Sequence, residues 1–343
     1  MKAAVLTGIR EMELHEVPGP AEPGPGEVLL KTEVVGVCGS DIHYYVDGRI
    51  GEQVVRYPYR VGHEYSARVV KLGEGVDHRQ EGALVAVDPA MSCGFCSQCR
   101  AGRAHTCEHL RFLGCPGQAE GCLSEYTVMP AACCFPVPSG MNEEVAALVE
   151  PLSIGLYAHR LSGGVEGKTV AILGCGPIGM CVLMPAVVRG APAVYVTDKI
   201  PERLQAAGQA GAVWTGNPLT DDVAAEILRR EPEGVDLAFE CCGQQDALDD
   251  AVRILKPGGM LLVIGIPAVQ RVSFDVDAMR RKELRILNVR RQNDCVEEAI
   301  RFAAENRQVE AMVTHRFELP NSKQAFDLVA DYRDGVMKAV IRF

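Results

Sequence analysis

The sequence predicts an α/β protein with two domains, a β-rich domain that comes first and a doubly wound parallel sheet that follows it. Its 343 residues exceed what a single hydrophobic core usually holds, about 250 to 300 residues. Strand-like segments separated by Pro- and Gly-rich turns fill the first part of the chain. From Thr169 onward, short apolar strands alternate with helical segments, a pattern typical of βαβ units.

The amino-acid composition restricts which binding partners and which cellular compartment we expect for this protein. The net charge is −10 and the basic residues are scattered, which argues against nucleic acid or an anionic membrane, because both require a basic face. The chain has 14 cysteines and starts without the pattern of a signal peptide, so we expect reduced thiols, some of them metal-bound, in the cytoplasm. The uncharged run 169–188 contains several glycines and prolines, which predicts a strand, a turn and a helix rather than a membrane span.

The β-rich part is predicted to contain strands at Ala3–Leu6, Val28–Val35, Tyr65–Leu72 and Ala83–Val87, with no long helix before Asn142. Gly and Pro clusters between these segments mark the turns that an antiparallel arrangement requires.

The region between the second and third of these strands predicts a zinc site. It contains Cys38 and, further on, the neighbouring pair His63 and Glu64. Thiolate, imidazole and carboxylate are ligands that Zn²⁺ accepts together, and three protein ligands leave a fourth position open for a reacting oxygen. The alternative is a buried cysteine with two unrelated polar residues, since ligands this far apart in sequence are weak evidence.

Four cysteines further on predict a second, closed metal site. Cys93, Cys96 and Cys99 form a CxxCxxC pattern, and Cys107 follows shortly after. Four thiolates can surround Zn²⁺ tetrahedrally, which leaves no open position and makes such a site structural. Four free thiols crowded into one loop would be prone to oxidation, and an iron–sulfur cluster, which uses similar ligands, is the alternative metal group.

Helical periodicity extends from Asn142 to Ser162. Pro151 predicts a break in it, with a second helix at Leu152–Leu161. Glu150, directly before the proline, stands among apolar residues. It is either a surface carboxylate that precedes a helix start or a group close to the zinc, and the spacing alone does not choose between them.

A dinucleotide site is predicted where the parallel sheet begins. The strand Thr169–Leu173 leads directly into the GCGPIG segment Gly174–Gly179, a helix follows, and Asp198 ends the next strand. The glycines let the backbone approach a pyrophosphate at the helix N-terminus. An acid about twenty residues further on accepts hydrogen bonds from the adenosine ribose and repels a 2′-phosphate, so this Rossmann fingerprint predicts NAD rather than NADP.

The alternation of strands and helices then continues. Further strands are predicted at 193–197, 212–215, 235–240, 260–266 and 284–289, and helices at 178–189, 201–210, 221–230 and 245–255. With the first strand they give a six-stranded parallel sheet. After a helix at 296–306, short β segments at 314–318 and 337–343 predict that the tail returns to the first domain.

Three motifs therefore stand in order along the chain: the Cys38 site, the four-cysteine lobe and the Rossmann fingerprint. Together they resemble the zinc-dependent medium-chain dehydrogenases over essentially the whole chain. The segments CGSDIHYYVDGRIG, GHE, EPLSIG and MVTHRFEL are similar to those of the sorbitol (L-iditol 2-) dehydrogenase, or polyol dehydrogenase, branch. The resemblance implies a GroES-like catalytic zinc domain at 1–151 and 292–343 and a Rossmann NAD-binding domain at 152–291.

The resemblance also implies roles for individual residues. The catalytic zinc would be bound by Cys38, His63 and Glu64, with Glu150 as a further ligand or beside the zinc water, and a structural zinc by Cys93, Cys96, Cys99 and Cys107. Ser40 and His43 would form a proton relay. The substrate pocket would be lined by Tyr44, Ile50, Phe112 and Arg290. The cofactor would be bound by Gly174, Gly176, Pro177, Ile178, Gly179, Asp198, Lys199, Arg203 and Ile266.

The implied reaction is reversible hydride transfer from a secondary alcohol of a polyol, such as sorbitol, L-iditol or xylitol, to NAD, giving a ketose. The resemblance also implies a homo-oligomer, a dimer or tetramer, formed through the sheet edge near 285–289. L-Threonine 3-dehydrogenases and butanediol dehydrogenases share the framework, and an aromatic residue expected after Arg290 is absent here, so the substrate stays open.

Two other functional classes do not account for these residues. An NADPH quinone reductase of the same fold would not need the zinc ligands or the cysteine lobe. A zinc-stabilised nucleotide-binding protein without catalysis would not need the Ser40 and His43 pair. Both are therefore disfavoured.

Overall fold

The computed structural model describes residues 1–77 and 79–343. Contacts divide the chain into two compact units, one formed by Met1–Glu150 with Val296–Phe343 and the other by Pro151–Cys295. The domain limits predicted above, at 151/152 and 291/292, lie close to these bounds.

The first stretch of the chain is rich in short strands and has few helices. Its strands are β1 (Lys2–Gly8), β2 (Glu11–Glu16), β3 (Glu27–Gly36), β4 (Arg49–Ile50), β5 (Gln53–Val54), β6 (Glu64–Leu72), β7 (Leu84–Val87), β8 (Ala90–Met91), β9 (Arg111–Phe112), β10 (Tyr126–Pro130) and β11 (Cys134–Pro136). Its helices are α1 (Gly39–Val46), α2 (Ser97–Arg100) and α3 (Glu143–Leu161), the last of which continues past residue 150.

The second unit alternates strands with helices, as predicted. Its strands are β12 (Val170–Leu173), β13 (Val194–Thr197), β14 (Trp214–Gly216), β15 (Val235–Glu240), β16 (Leu255–Val263) and β17 (Arg285–Asn288). Its helices are α4 (Pro177–Val188), α5 (Pro201–Gln209), α6 (Val223–Arg230), α7 (Gln245–Ile254) and α8 (Val276–Lys282). The tail adds α9 (Val296–Glu305), β18 (Val313–Glu318), α10 (Ser322–Ala330) and β19 (Lys338–Arg342).

One seven-stranded sheet dominates the first unit. Its order is β11-β7-β6-β3-β19-β18, and β10 also pairs with β3. Gly36, at the end of β3, pairs with Glu64 of β6 on one side and with Val340 of β19 on the other. The tail therefore returns to the first unit, which confirms that prediction, and brings β19 next to the segment that carries Cys38.

The second unit contains a six-stranded sheet of order β14-β13-β12-β15-β16-β17. All of its pairings are parallel, which confirms the predicted doubly wound sheet. The strand order reverses between β12 and β15, and ligands of such sheets bind outside the carboxyl ends of the strands at this point. Apolar residues of β12 and β15 are completely buried, as expected for central parallel strands.

The predicted helix break at Pro151 was wrong, because α3 continues through this proline from Glu143 to Leu161. Proline removes one backbone hydrogen bond and strains a helix. The neighbouring apolar side chains Leu148 and Leu152 are 1% and 0% exposed, so their packing compensates for that loss.

The predicted start of the fifth sheet strand at 260 was also wrong. Strand β16 begins at Leu255, includes Lys256–Gly259 and ends at Val263, so Ile266 lies beyond the strand. An irregularity in the pairing with β15, between Val235 and Leu237, accommodates the glycines, as bulges commonly do. The helices α1, α2, α8 and α10 were not predicted. In the described part of the chain, no helix combines the length and the apolar character that a membrane crossing requires.

Candidate active site and metal centres

The four cysteines of the lobe converge on one point. Their sulfur atoms all lie within 4.8 Å of one another; the Sγ atoms of Cys93 and Cys99 are 4.0 Å apart and those of Cys96 and Cys107 are 3.8 Å apart. A tetrahedral Zn²⁺ with Zn–S bonds of about 2.3 Å places its sulfurs about 3.8 Å apart. The lobe therefore fits a closed zinc site, and all four cysteines are free of disulfides.

Backbone amides donate hydrogen bonds to several of these sulfurs, while burial raises the pKa of the neighbouring Cys99 thiol to about 11. The Cys107 Sγ accepts hydrogen bonds from the amides of Cys93 and His109, each at 3.3 Å. The amide of Cys99 donates to the Cys96 Sγ at 3.5 Å. Hydrogen bonds from the backbone of Cys99 and Glu108 lower the pKa of Cys96 to about 6. Donated hydrogen bonds favour the charged form that binds metal.

Cys38, His63 and Glu64 also come together. Their ligand atoms lie within 4.8 Å of one another, with Cys38 half-buried and the other two buried. Cys38 is the N-cap residue of α1, and Glu64 is the first residue of β6. Gly62 allows the turn before them, because its φ of 97° is strained for other residues and a Cβ there would lie 3.3 Å from the Leu123 amide.

Asp41 supports His63, a role that the sequence analysis missed. Its carboxylate is fully buried, and its Oδ1 lies 3.4 Å from His63 Nδ1 and accepts from the Gly62 amide at 3.3 Å. A histidine that donates its Nδ1–H to a carboxylate presents Nε2 to a metal, a common arrangement behind metal-binding histidines. The CGSD spacing contained the signal, since Asp41 is the only carboxylate within three residues of Cys38.

The charges around His63 act on its protonation. Burial lowers the pKa of His63, but the nearby Asp41 carboxylate and the Cys38 thiol outweigh that effect, and the pKa lies well above its usual range. The Phe112 ring lies against the imidazole, with ring centroids 5.3 Å apart. This cluster of negative groups is suited to a bound cation.

Lys338 contacts Glu64, and the sequence analysis missed this pair too. The Lys338 Nζ lies 2.5 Å from Glu64 Oε2 and donates to the Val37 carbonyl at 3.2 Å. Both side chains are almost completely buried, 1% and 2% exposed. The two residues are far apart in sequence, so no local sequence motif could predict this contact.

Glu150 lies close to this group without joining it. It is 7% exposed, which contradicts the surface alternative. Its carboxylate is not among the ligand atoms that lie within 4.8 Å of one another. Burial raises the pKa of Glu150 to about 8, with His63 opposing and Glu64 adding to the shift. A carboxyl group with this pKa is mostly protonated at neutral pH.

The two predicted relay residues lie on α1. The Ser40 hydroxyl donates to the Cys38 Sγ at 3.3 Å. The His43 Nδ1 lies 3.1 Å from Asp47 Oδ2, and both side chains are partly exposed. Since residues three apart share a helix face, the pair extends from the cysteine toward solvent.

Three of the four predicted pocket residues lie in the first unit. Tyr44 and Phe112 are buried, and the Tyr44 hydroxyl donates to Gln53 Oε1 at 3.0 Å. Burial raises the pKa of Tyr44, which keeps its hydroxyl protonated. Ile50 is partly buried and packs against the hydrophobic core of this unit. Arg290 is exposed and belongs to the second unit.

The glycine-rich loop connects β12 to α4 as predicted. Gly174 has a φ of 97°, and a Cβ at this residue would lie 2.7 Å from that of Cys242. A Cβ at Gly179 would collide with the Gly174 carbonyl. Pro177 is the first residue of α4, and Gly176 caps it without a side-chain hydrogen bond. The amides at the start of α4 thus remain available to an anion.

Asp198 follows β13 and borders the same loop. Its Oδ2 accepts from the Cys175 amide at 2.7 Å and its Oδ1 from the Ile200 amide at 2.9 Å. A Cβ at Gly176 would lie 3.4 Å from an Arg203 guanidinium nitrogen, so this buried arginine also borders the loop. Lys199 is exposed.

A cavity of about 420 Å³ opens at the carboxyl ends of β15, β16 and β17, and Ile266 is one of its lining residues. It lies beside the topological switch point where a dinucleotide is expected. The glycine loop, the acid after β13 and this cavity fit a nicotinamide dinucleotide.

Comparison with known proteins agrees with this geometry. Residues 24–139 match the alcohol dehydrogenase GroES-like domain, and residues 177–305 match the zinc-binding dehydrogenase domain. The chain therefore belongs to the zinc-dependent medium-chain dehydrogenases, with a Rossmann sheet and a GroES-like domain.

Sorbitol dehydrogenase of Bacillus subtilis is 34% identical over 343 residues, which cover 99% of this chain and 97% of that protein. Galactitol-1-phosphate dehydrogenase of Escherichia coli is structurally similar, with a TM-score of 0.91 and 28% identity over 100% of both chains. 2R,3R-butanediol dehydrogenase of Bacillus subtilis has a TM-score of 0.88 and 28% identity, and the match covers 100% of this chain and 99% of that one. Within its family, the chain belongs to the polyol dehydrogenase branch and is an NAD-dependent zinc alcohol dehydrogenase.

Proposed function

We propose that the chain oxidises a secondary alcohol of a polyol of the sorbitol, L-iditol or xylitol type to a ketose, with Cys38, His63 and Glu64 as the catalytic zinc ligands. The convergence of these three donors, supported from behind by Asp41, carries the proposal. Bound zinc would supply a Lewis acid for the alcohol oxygen, and NAD would accept the hydride.

The remaining residues around the metal would bind the substrate and transfer its hydroxyl proton. Ser40, whose hydroxyl contacts the Cys38 sulfur, would accept the alcohol proton and release its own hydroxyl proton toward the partly exposed His43, which would transfer a proton to solvent. Glu150, which is buried and stands outside the set of converging ligand atoms, would form a hydrogen bond with a substrate hydroxyl rather than remain a permanent ligand. Tyr44 and Phe112 would form the apolar wall, and the role of Arg290 in substrate binding stays a prediction.

In the second unit, Gly174–Gly179 would hold the pyrophosphate of NAD at the start of α4. Asp198 would accept from the adenosine ribose, and Arg203 would stabilise the phosphates. Ile266 would contact the nicotinamide side of the cofactor from the rim of the cavity.

A homo-oligomer also belongs to the proposal. Strand β17 is at the edge of its sheet, and Leu287 on it is exposed. An open edge of this kind can pair with a second copy. The cytoplasmic location stays a prediction.

The test combines a substrate screen with one ligand substitution. NAD reduction is measured with sorbitol, xylitol, L-iditol, 2,3-butanediol and L-threonine, and we expect the highest kcat/KM for a polyol. The butanediol dehydrogenase framework favours 2,3-butanediol as the second candidate. On the best substrate, Cys38→Ser should lose one of two zinc ions and more than about 100-fold in turnover, since even changes behind a metal ligand cost about 10- to 100-fold.

The matched control is Cys133→Ser, which removes another buried thiol of the first unit and should keep both zinc ions and the turnover. Undiminished turnover in a Cys38→Ser protein that has lost an ion would refute the zinc mechanism. A preference for 2,3-butanediol over every polyol would refute the proposed substrate class but not the zinc mechanism.

A further inference from the structure

One oxygen of the Glu64 carboxylate, Oε2, is held by a defined set of neighbours. Oε2 lies in a cradle formed by Gly36, Val37 and Lys338. The Lys338 ammonium lies 2.5 Å from it and also donates to the Val37 carbonyl. A Cβ at Gly36 would lie 2.5 Å from the same oxygen, so only glycine leaves room for it there.

This cradle connects segments that the chain brings together from three places. Val37 precedes the ligand Cys38, and its amide donates to the Ala339 carbonyl at 3.0 Å. Lys338 begins β19, and Glu64 begins β6. The ammonium therefore links the backbone beside one metal ligand to the side chain of another, inside a sheet that fixes both.

The consequence concerns how Glu64 can bind a metal. A carboxylate can bind through one oxygen or through both. The ammonium bound to Oε2 competes with an ion at Cys38 and His63 for that oxygen, which favours metal binding through Oε1. If both oxygens bound, the fourth position needed by the substrate would be filled.

We propose that Lys338 is a positioning residue that restricts Glu64 to one-oxygen binding and so keeps the fourth coordination position open. This inference rests on the proposed function of Cys38, His63 and Glu64 as metal ligands. Lys338, the first residue of β19, would then be one of the residues that determine the coordination geometry of the metal.

The test uses Co²⁺ in place of zinc, because four-coordinate Co²⁺ absorbs visible light more strongly than five-coordinate Co²⁺. The spectrum of Cys38→Ser, which retains only the ion of the cysteine lobe, is subtracted to isolate the ion at Glu64. Two variants disturb the cradle. Lys338→Met removes the ammonium, and Gly36→Ala displaces Oε2 without removing a charge. Removing one partner of a buried ion pair is strongly destabilising, and Lys338→Met could therefore fail to fold. In that case Gly36→Ala alone provides the test.

We expect both variants to bind Co²⁺ with the weaker, five-coordinate spectrum and to lose about 10- to 100-fold in turnover per bound ion. Lys338→Arg, which keeps the charge, should recover most of the four-coordinate spectrum. The matched control is Lys282→Met in the second unit, where the ammonium donates to the carbonyls of Val252, Arg253 and Leu255. This variant should change stability but neither the spectrum nor the turnover per ion.

Wild-type spectra and turnover in both Lys338→Met and Gly36→Ala would overturn the role of Lys338 and leave the zinc mechanism standing. If the wild-type chain binds no ion that Cys38→Ser removes, the proposed function fails and this inference fails with it.

Discussion

The cysteine lobe and the Cys38–His63–Glu64 site lie in the same unit but are assembled in opposite ways. The lobe takes all four sulfurs from residues 93–107, and its own backbone amides donate to them. The other site joins ligands from the start of α1 and the start of β6. It then adds the buried groups Asp41 and Lys338 from behind.

This difference shows what an open metal site requires. A closed tetrathiolate needs only four sulfurs at the right spacing, since the metal itself completes the structure. A site that keeps one position vacant must hold its ligands in place without a fourth protein ligand, and buried hydrogen bonds and ion pairs do this at a cost in desolvation.

The largest effect should come from opening the lobe. Cys107→Ser removes a sulfur that accepts two amide hydrogen bonds and leaves three ligands. Structural zinc contributes about 10–16 kcal/mol in small zinc domains, so we expect the free energy of unfolding to fall by at least about 3 kcal/mol. Urea unfolding measures this change in the free energy of unfolding, and zinc analysis of the same protein measures the number of bound ions.

Cys38→Ser is the comparison for this experiment. It should also lose one ion but much less stability, because β3, β6 and β19 remain paired without it. Equal losses of stability in the two variants would show that both ions are structural and would remove the distinction between the sites.

A smaller effect should follow from changing the group behind His63. Asp41→Asn keeps the shape of the side chain and removes the charge that faces Nδ1. We expect about 10- to 100-fold weaker zinc binding at this site, measured as transfer of zinc to a chelator. The lobe ion in the same protein is the internal control and should be unaffected. Equal release of both ions, or of neither, would contradict the role of Asp41.

The sequence was sufficient where the chemistry is local. The cysteine spacing at 93–107 and the glycine pattern at 174–179 each lie within one short segment, so the lobe and the dinucleotide loop could be predicted. The six parallel strands followed from alternation of apolar segments with helices. Even the convergence of Cys38, His63 and Glu64 was predicted, because their residue types and a family resemblance pointed to it.

The remaining features depend on contacts between distant segments. Lys338 meets Glu64 only because β19 pairs with β3 next to β6, and periodicity cannot show which residues of two strands are adjacent. The break expected at Pro151 failed for a related reason, since packing of Leu148 and Leu152 outweighs the local preference of proline. Strand β16 likewise tolerates two glycines through an irregular pairing.

The buried histidines provide the last and smallest test, a contrast between a histidine beside a carboxylate and one beside a cation. His63 faces Asp41, whereas His159 lies near Arg189, and its hydrogen bond with the Val182 backbone offsets burial only in part. Burial, together with the nearby Arg189, lowers the pKa of His159 to about 3. The Phe239 ring packs against it, with centroids 5.5 Å apart.

Because the folded-state pKa of His159 is below the usual value of about 6.5, the unfolded chain binds a proton that the folded chain excludes. Stability is therefore complete above pH 6.5 and is lost as the pH falls toward 3. When the pH falls from 7.5 to 5.5, protonation of His159 in the unfolded chain should lower the free energy of unfolding by about 1.4 kcal/mol. Urea unfolding of the wild type and of His159→Leu at both pH values isolates it, since all other groups titrate in both proteins. The wild type should lose about 1.4 kcal/mol more than the variant, and parallel losses would show that the folded state does not exclude a proton from His159.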